Sequence, residues 1–252
     1  MIETRDLRKS YGTSLVLDGV SVTLPRGGIT TIIGANGAGK STLLSVISRL
    51  LSPDSGTALM DGEDIFRING PELAKKLAVL RQENHLTARL TVRELVSFGR
   101  YPHSKGRLSD ADRAAVAHAL LWLDLNDLQD RFLDQLSGGQ RQRAFVAMVL
   151  AQETDYILLD EPLNNLDMKN ARAMMLILRE AVRELQKTVV MVLHDINFAS
   201  VHSDRIIAMK AGKVIHSGGP DEIVAPAILR EIYDMDIEVR EIENRRFAFY
   251  YG

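Results

Sequence analysis

The 252-residue chain contains no cysteine, which excludes disulfides, thiolate nucleophiles and Cys-ligated zinc or iron–sulfur centres together. It also lacks long apolar runs. The longest, Ala144 to Ala151, falls far short of the ~20 residues that cross a bilayer, so any membrane connection is expected through a partner. The first six residues, Met1-Ile2-Glu3-Thr4-Arg5-Asp6, are charged where an export signal needs an apolar stretch, and no cleaved leader is expected. An excess of either charge is missing as well: 31 Lys and Arg against 33 Asp and Glu leave −2. That balance argues against a protein that holds nucleic acid through a general basic field. A polyanionic ligand must be gripped locally, and no nucleic-acid partner is expected.

What remains is the make-up of an ordinary globular protein, 46% apolar and 25% charged, with the length of one large domain or a domain carrying a subdomain. Short strands over Ile2–Arg5 and Val16–Leu24, with turns at Tyr11-Gly12-Thr13 and Pro25-Arg26-Gly27-Gly28, predict an opening antiparallel β layer. The β-branched run Ile29–Ile33 predicts a buried strand, and it passes at once into a Gly-rich turn and an apolar-periodic helix from Ser41 to Leu51. From about Glu72 to about Ala151 the pattern turns helical, with helices over Thr91–Gly99, Asp110–Leu123 and Gly139–Ala151. Strands at Tyr156–Asp160, Thr188–Leu193 and Arg205–Met209 then alternate with helices at Lys169–Leu185 and Ile196–Val201, the pattern of a parallel sheet with crossovers. The chain closes in short pieces, a hairpin turn at Ala211-Gly212-Lys213 and strands at Ile237–Ile242 and Phe247–Tyr251. The expected class is α/β: a core with a parallel sheet, an N-terminal antiparallel layer and an inserted helical subdomain. The expected division is a catalytic core over 1–75 and 152–252 around a helical subdomain over 76–151.

Gly34-Ala35-Asn36-Gly37-Ala38-Gly39-Lys40-Ser41 fits G-x-x-x-x-G-K-[ST] at every fixed position, with a strand before it and a helix after. Glycines there let successive backbone N–H groups converge on phosphate oxygens, and the helix adds its positive end. Gly34, Asn36, Gly37, Gly39, Lys40, Ser41 and Thr42 are therefore the expected nucleotide-binding residues of a P-loop core, ATP-binding if the nucleotide is ATP. Lys40 is assigned to the β- and γ-phosphates, Ser41 to Mg²⁺ and Thr42 to a further phosphate contact. Tyr156-Ile157-Leu158-Leu159-Asp160-Glu161 is an apolar strand ending in two carboxylates. Beside a phosphate loop, Asp160 is the expected partner of the Mg²⁺ shell, and Glu161 stands where a general base could polarise the attacking water.

A phosphate loop alone also fits GTPases, small-molecule kinases and motors, but no Asn-Lys-x-Asp guanine-reading motif occurs. Leu136-Ser137-Gly138-Gly139-Gln140, at the start of a predicted helix, is a second phosphate-binding device by residue type: small residues, a hydroxyl and a helix N-terminus. With this segment the sequence closely resembles the ATP-binding subunits of ABC transporters, over nearly the whole chain from Tyr11 to about Tyr233. The resemblance implies a homodimer sandwiching two ATP molecules, in which Ser137, Gly138, Gly139 and Gln140 cover the ATP of the opposite subunit. It implies adenine stacking for Tyr11, and a Mg²⁺ and water contact coupled to the permease for Gln82. It also implies an intersubunit loop at Asn165-Leu166-Asp167, and γ-phosphate sensing for His194. Glu161, His194 and Gln82 are the implied catalytic residues, and Ser41, Gln82 and Asp160 the implied Mg²⁺ ligands. Two departures from the family pattern are Leu163 after Glu161-Pro162, and Arg81 with Glu83 around Gln82.

A lone ATP-binding unit resembles the separate-subunit architecture of bacterial importers. Phe98-Gly99-Arg100-Tyr101-Pro102-His103, His194-Asp195-Ile196-Asn197-Phe198-Ala199, and Gly212-Lys213 followed by Gly218 resemble the iron(III)-siderophore, haem and cobalamin branch. The siderophore reading is preferred; haem or cobalamin importers and a soluble non-transport ATPase of the same family are the alternatives. The implied partners are integral membrane permease subunits and, indirectly, an extracytoplasmic substrate-binding protein. The implied place is the cytoplasmic face of the membrane.

Overall fold

The structure is a computed structural model that describes residues 1–82, 88–164 and 166–250. The chain forms two compact units, Met1–Ile68 with Thr188–Gly252, and Asn69–Lys187. The helical segment expected over 76–151 falls inside the second unit.

In the first stretch of the first unit the elements are β1 (Ile2–Tyr11), β2 (Ser14–Leu24), β3 (Gly28–Ile33), α1 (Lys40–Ile47), β4 (Ser55–Met60) and β5 (Glu63–Asp64). Strands β2-β1-β4-β5 make the antiparallel layer. β1 runs further than its alternation predicts. Ile2 and Thr4 point inward, then the register slips at Asp6, whose φ is 47°, and Leu7 takes the next buried position. This is a bulge, and it lets the strand continue past a broken pattern.

The second unit holds α2 (Gly70–Lys76), β6 (Leu77–Leu80), α3 (Val92–Phe98), α4 (Tyr101–Ser104), α5 (Asp110–Trp122), α6 (Gly138–Ala151), β7 (Tyr156–Asp160) and α7 (Met168–Leu185). Three of its helices open on capping boxes, Thr91 with Glu94, Ser109 with Asp112, and Ser137 with Gln140. Each box satisfies first-turn N–H groups that a helix leaves unpaired. β6 lies parallel to β7, with Leu77 opposite Tyr156 and Leu80 opposite Leu159.

Back in the first unit are β8 (Thr188–Val192), α8 (Ile196–His202), β9 (Arg205–Lys210), β10 (Lys213–Gly218), α9 (Pro220–Ile223), α10 (Pro226–Tyr233), β11 (Glu238–Ile242) and β12 (Arg245–Phe249). β3 is parallel to both β8 and β9, and β10 pairs antiparallel with β9. Every residue of β8 is buried, as are all but the first of β3. A strand covered on both faces explains why its sequence is continuously apolar or β-branched rather than alternating. The buried hydroxyls inside this layer are paired, Thr31 Oγ1 with Ser203 Oγ at 2.6 Å. Tyr251 of the expected last strand lies outside the described residues.

Candidate active site

The phosphate loop leaves β3 at Gly34 and enters α1 at Lys40. Gly34 has φ 146°, and a Cβ there would come 2.1 Å from the Met209 carbonyl oxygen, so only glycine fits between β9 and the loop. Ala35, Asn36 and Gly37 form the exposed crest, while Ala38, Gly39 and Lys40 are buried. The α1 N-cap is Gly39, which brings no side chain to the helix end; α3, α5, α6, α7 and α8 are all capped by side chains. The uncapped end keeps the positive pole of α1 for an external anion. Lys40 Nζ donates to the Gly34 carbonyl at 2.9 Å and the Ala35 carbonyl at 3.0 Å, bending the ammonium back over its own loop. Ser41 and Thr42 are half-buried in the first turn of α1.

Two other expected residues belong to the same unit. Tyr11 ends β1 at the tip of the β1–β2 hairpin, opposite Ser14, with its ring 53% exposed. β2 runs from that tip back to the loop, and the amide of Gly212, in the β9–β10 turn, donates to the Ala38 carbonyl at 3.2 Å. An exposed ring on a short hairpin suits base stacking. His194 is exposed just beyond β8, and Asp195 next to it caps α8, accepting from the Asn197 and Phe198 amides at 2.7 and 3.1 Å.

In the second unit, Asp160 is half-buried at the end of β7. Glu161 follows in the left-handed region, with φ 51°, and is 8% exposed. Its Oε2 accepts from Gln82 Nε2 at 2.7 Å and also from Asn164 Nδ2. Sheet register explains the first bond. Leu80 and Leu159 are paired neighbours, so the residues two further along each chain, Gln82 and Glu161, leave the sheet side by side. Gln82 is thus brought onto the expected general base, and Asn164 is a further contact that the sequence reading did not single out. A polar residue three positions after a strand-end carboxylate, in a turn, was its signal. Glu83 lies outside the described residues, as does Asn165.

The signature segment also has a local role. Ser137 Oγ accepts from the Gln140 amide at 3.3 Å, and Gln140 Oε1 accepts from the Ser137 amide at 3.0 Å. Ser137 and Gln140 therefore shape the α6 N-terminus, with Ser137 and Gly138 exposed on it. Gln142 Nε2 donates to the Pro162 carbonyl at 3.0 Å and ties α6 to the turn after Glu161. Asp167 caps α7 through the Asn170 amide at 2.7 Å. By residue type, the Ser41 hydroxyl in the first unit and the Gln82 amide and Asp160 carboxylate in the second each offer an oxygen of the kind Mg²⁺ takes.

The branch-like segment Phe98–His103 proves to be an element joint. A Cβ on Gly99 would lie 2.0 Å from the Met148 carbonyl oxygen. The Arg100 side chain, 6% exposed, binds Asp112 at 2.9 Å, Glu153 at 2.7 Å and the Ala151 carbonyl at 2.8 Å. His103 reaches the Gln152 carbonyl at 3.0 Å. The segment locks α3 and α4 onto the end of α6.

A strand, glycine loop and helix with a buried lysine, together with a strand-end carboxylate pair, define a P-loop nucleotide hydrolase. Residues 17–164 match the family model described as ABC transporter, and the chain belongs to that family. It is an ATP-hydrolysing, ATP-binding subunit. Over all 252 residues it is 53% identical to the petrobactin import ATP-binding protein YclP of Bacillus subtilis (strain 168), covering the whole of both chains. It is 38% identical over 240 residues to the iron(3+)-hydroxamate import ATP-binding protein FhuC of the same organism, covering 94% of this chain and 89% of that one. Among solved structures it is similar to the dimeric ATP-binding cassette MJ0796 in a post-hydrolysis state bound to ADP and Pi. The TM-score is 0.79 at 31% identity, over 87% of this chain and 99% of that one.

Proposed function

We propose that this chain energises import of an iron(III)-siderophore complex through a separate membrane permease, as one half of an ATPase homodimer at the cytoplasmic face of the membrane. The observation that carries the cargo reading is the full-length 53% identity to a petrobactin import subunit. No described helix is long and apolar enough to cross a membrane, which accords with a permease made of other chains. A substrate-binding protein outside the membrane delivers the complex to that permease and never meets this subunit.

In the proposed cycle the backbone of Gly34–Gly39 and the α1 N-terminus bind the phosphates, with Thr42 adding a contact and Tyr11 stacking on adenine. Lys40 exchanges two neutral carbonyls for charged β- and γ-phosphate oxygens, a stronger class of hydrogen bond. Ser41, Gln82 and Asp160 are the residues that would hold Mg²⁺, which would neutralise phosphate charge. Glu161 accepts a proton from the attacking water, and Gln82 and Asn164 orient its carboxylate. His194 contacts the γ-phosphate. Ser137, Gly138 and Gly139 close over the ATP of the partner subunit, and Asp167 lies in the loop that meets that subunit. Closure carries the helical segment, 76–151, and with it the permease; hydrolysis reverses it.

The test is uptake of radioactive iron by the native host. Deleting the gene should abolish uptake from one siderophore class, and the wild-type gene should restore it while a Glu161→Gln copy does not. Uptake of every iron complex at the parental rate in the deletion strain would overturn the cargo reading and leave the ATPase chemistry standing.

A further inference from the structure

The C-terminal hairpin, β11 and β12, is an isolated two-stranded sheet, and its attachment to α8 is specific. Asn197 on α8 treats Ala248 as a neighbouring strand would: its Nδ2 donates to the Ala248 carbonyl at 3.1 Å, and its Oδ1 accepts the Ala248 amide at 2.8 Å. Ser200 Oγ donates to the Arg246 carbonyl at 2.6 Å, and Arg245 donates from Nη1 to the Val201 carbonyl at 3.3 Å. Residues 197 and 200 share one face of α8, and 246 and 248 share one face of β12, so helical and strand periods meet in register. Ala248 is 1% exposed and Ser200 7% exposed.

The clamp matters because of what precedes α8. The helix has seven residues, too few to hold its own position by backbone bonding alone. It begins at Ile196, two residues after His194, and the capping bonds of Asp195 join the histidine segment to its first turn. Whatever fixes α8 therefore fixes the backbone that carries His194. Asn197 is bonded on both sides of this relay, its amide N–H to Asp195 and its side chain to β12. Only a carboxamide supplies donor and acceptor at this separation; aspartate lacks the donor and serine lacks the reach.

We propose that Asn197 is a positioning residue that makes the C-terminal hairpin part of the γ-phosphate sensor, by holding α8 and so His194 in the hydrolytic arrangement. This rests on the sensor role of His194 proposed above. A merely structural clamp would act on stability and on every step alike, whereas a positioning clamp acts through the histidine.

The experiment is a double-mutant cycle on the full chain with Asn197→Ala and His194→Ala, read as single-turnover hydrolysis at saturating MgATP, alongside ATP affinity and Tm. Asn197→Ala is expected to slow hydrolysis by about tenfold, the scale of a lost pair of buried hydrogen bonds, with ATP affinity changed less than about twofold. In the His194→Ala background the same change should cost nothing further. Asn197→Gln keeps the carboxamide one methylene further out, should fall between, and serves if Asn197→Ala does not fold. Wild-type hydrolysis by both Asn197 variants, or an undiminished loss in the His194→Ala background, overturns the proposal. If His194→Ala alone hydrolyses normally, the sensor reading fails instead and takes the route through it; slowing by Asn197→Ala would then mark a different route.

Discussion

Lys40 and Glu161 are held by partners of opposite kind, and the difference predicts how each variant fails. The Lys40 ammonium donates to two carbonyls of its own loop and is placed to donate to phosphate oxygens when nucleotide arrives. Lys40→Ala should therefore lose both ATP affinity and turnover, the latter by about 10²-fold or more. Equilibrium nucleotide binding and steady-state hydrolysis check this, and normal hydrolysis would remove Lys40 from the site. Glu161 instead receives two carboxamide donors, from Gln82 and Asn164, which orient the carboxylate. Glu161→Gln preserves shape and loses the base, so ATP should bind within a few-fold of wild type while hydrolysis falls by about 10²–10⁴-fold. These roles differ in how they can be read from sequence. The phosphate loop and Asp160-Glu161 are contiguous, so residue type and spacing suffice. Gln82 acquired its role only by family likeness, because its pairing with Glu161 depends on the register between two strands far apart in the chain.

At the scale of elements, the joint around Arg100 is the most heavily bonded polar cluster described in the helical segment. Arg100 and Asp112 are both buried. The Ser109 hydroxyl and amide, with the Arg100 guanidinium, hold the Asp112 carboxyl at about 2 against an ordinary 3.8. A carboxylate depressed in the folded state stabilises fully above its unfolded pKa, and that contribution disappears as pH falls from about 4 through about 2. Asp112→Asn should lower Tm at neutral pH, and the gap from wild type should close over that acid window. Parallel Tm curves for the two proteins down to pH 2 would show that Asp112 carries no such linkage. The same joint shows what the sequence conveyed and what it hid. Thr91-x-x-Glu94 and Ser109-x-x-Asp112 announce the α3 and α5 starts as capping boxes. Gly99 carries no local sign that its backbone meets Met148. Helices α9 and α10 were expected only as short pieces, although each opens on a proline. In α10 the spacing of Leu229, Ile232 and Tyr233 is helical, but eight residues give periodicity too little length to stand out from loops.

On the scale of the whole molecule, each chain carries two phosphate-binding devices of different construction. The α1 end has a glycine cap and a buried lysine, complete for one triphosphate; the α6 end has an exposed Ser137 and Gly138 and no lysine in its first turn. The second device has small residues, helix N–H groups and the exposed Arg141 but no glycine loop around it, so it suits a phosphate already bound elsewhere. In the proposed homodimer a second copy of the chain supplies that phosphate. With net charge of only −2, long-range repulsion between copies is small. Glu161→Gln with MgATP should therefore run at twice the 28.0 kDa of one chain, and return to monomer when the nucleotide is removed. Adding Ser137→Arg places a bulky side chain on the exposed α6 end without touching the phosphate loop. That double variant should still bind ATP, with the affinity of a single chain, and remain monomeric by light scattering. A dimer that survives Ser137→Arg would place the association on another surface, and loss of ATP binding by the isolated double variant would mean that the α1 device is not complete within one chain.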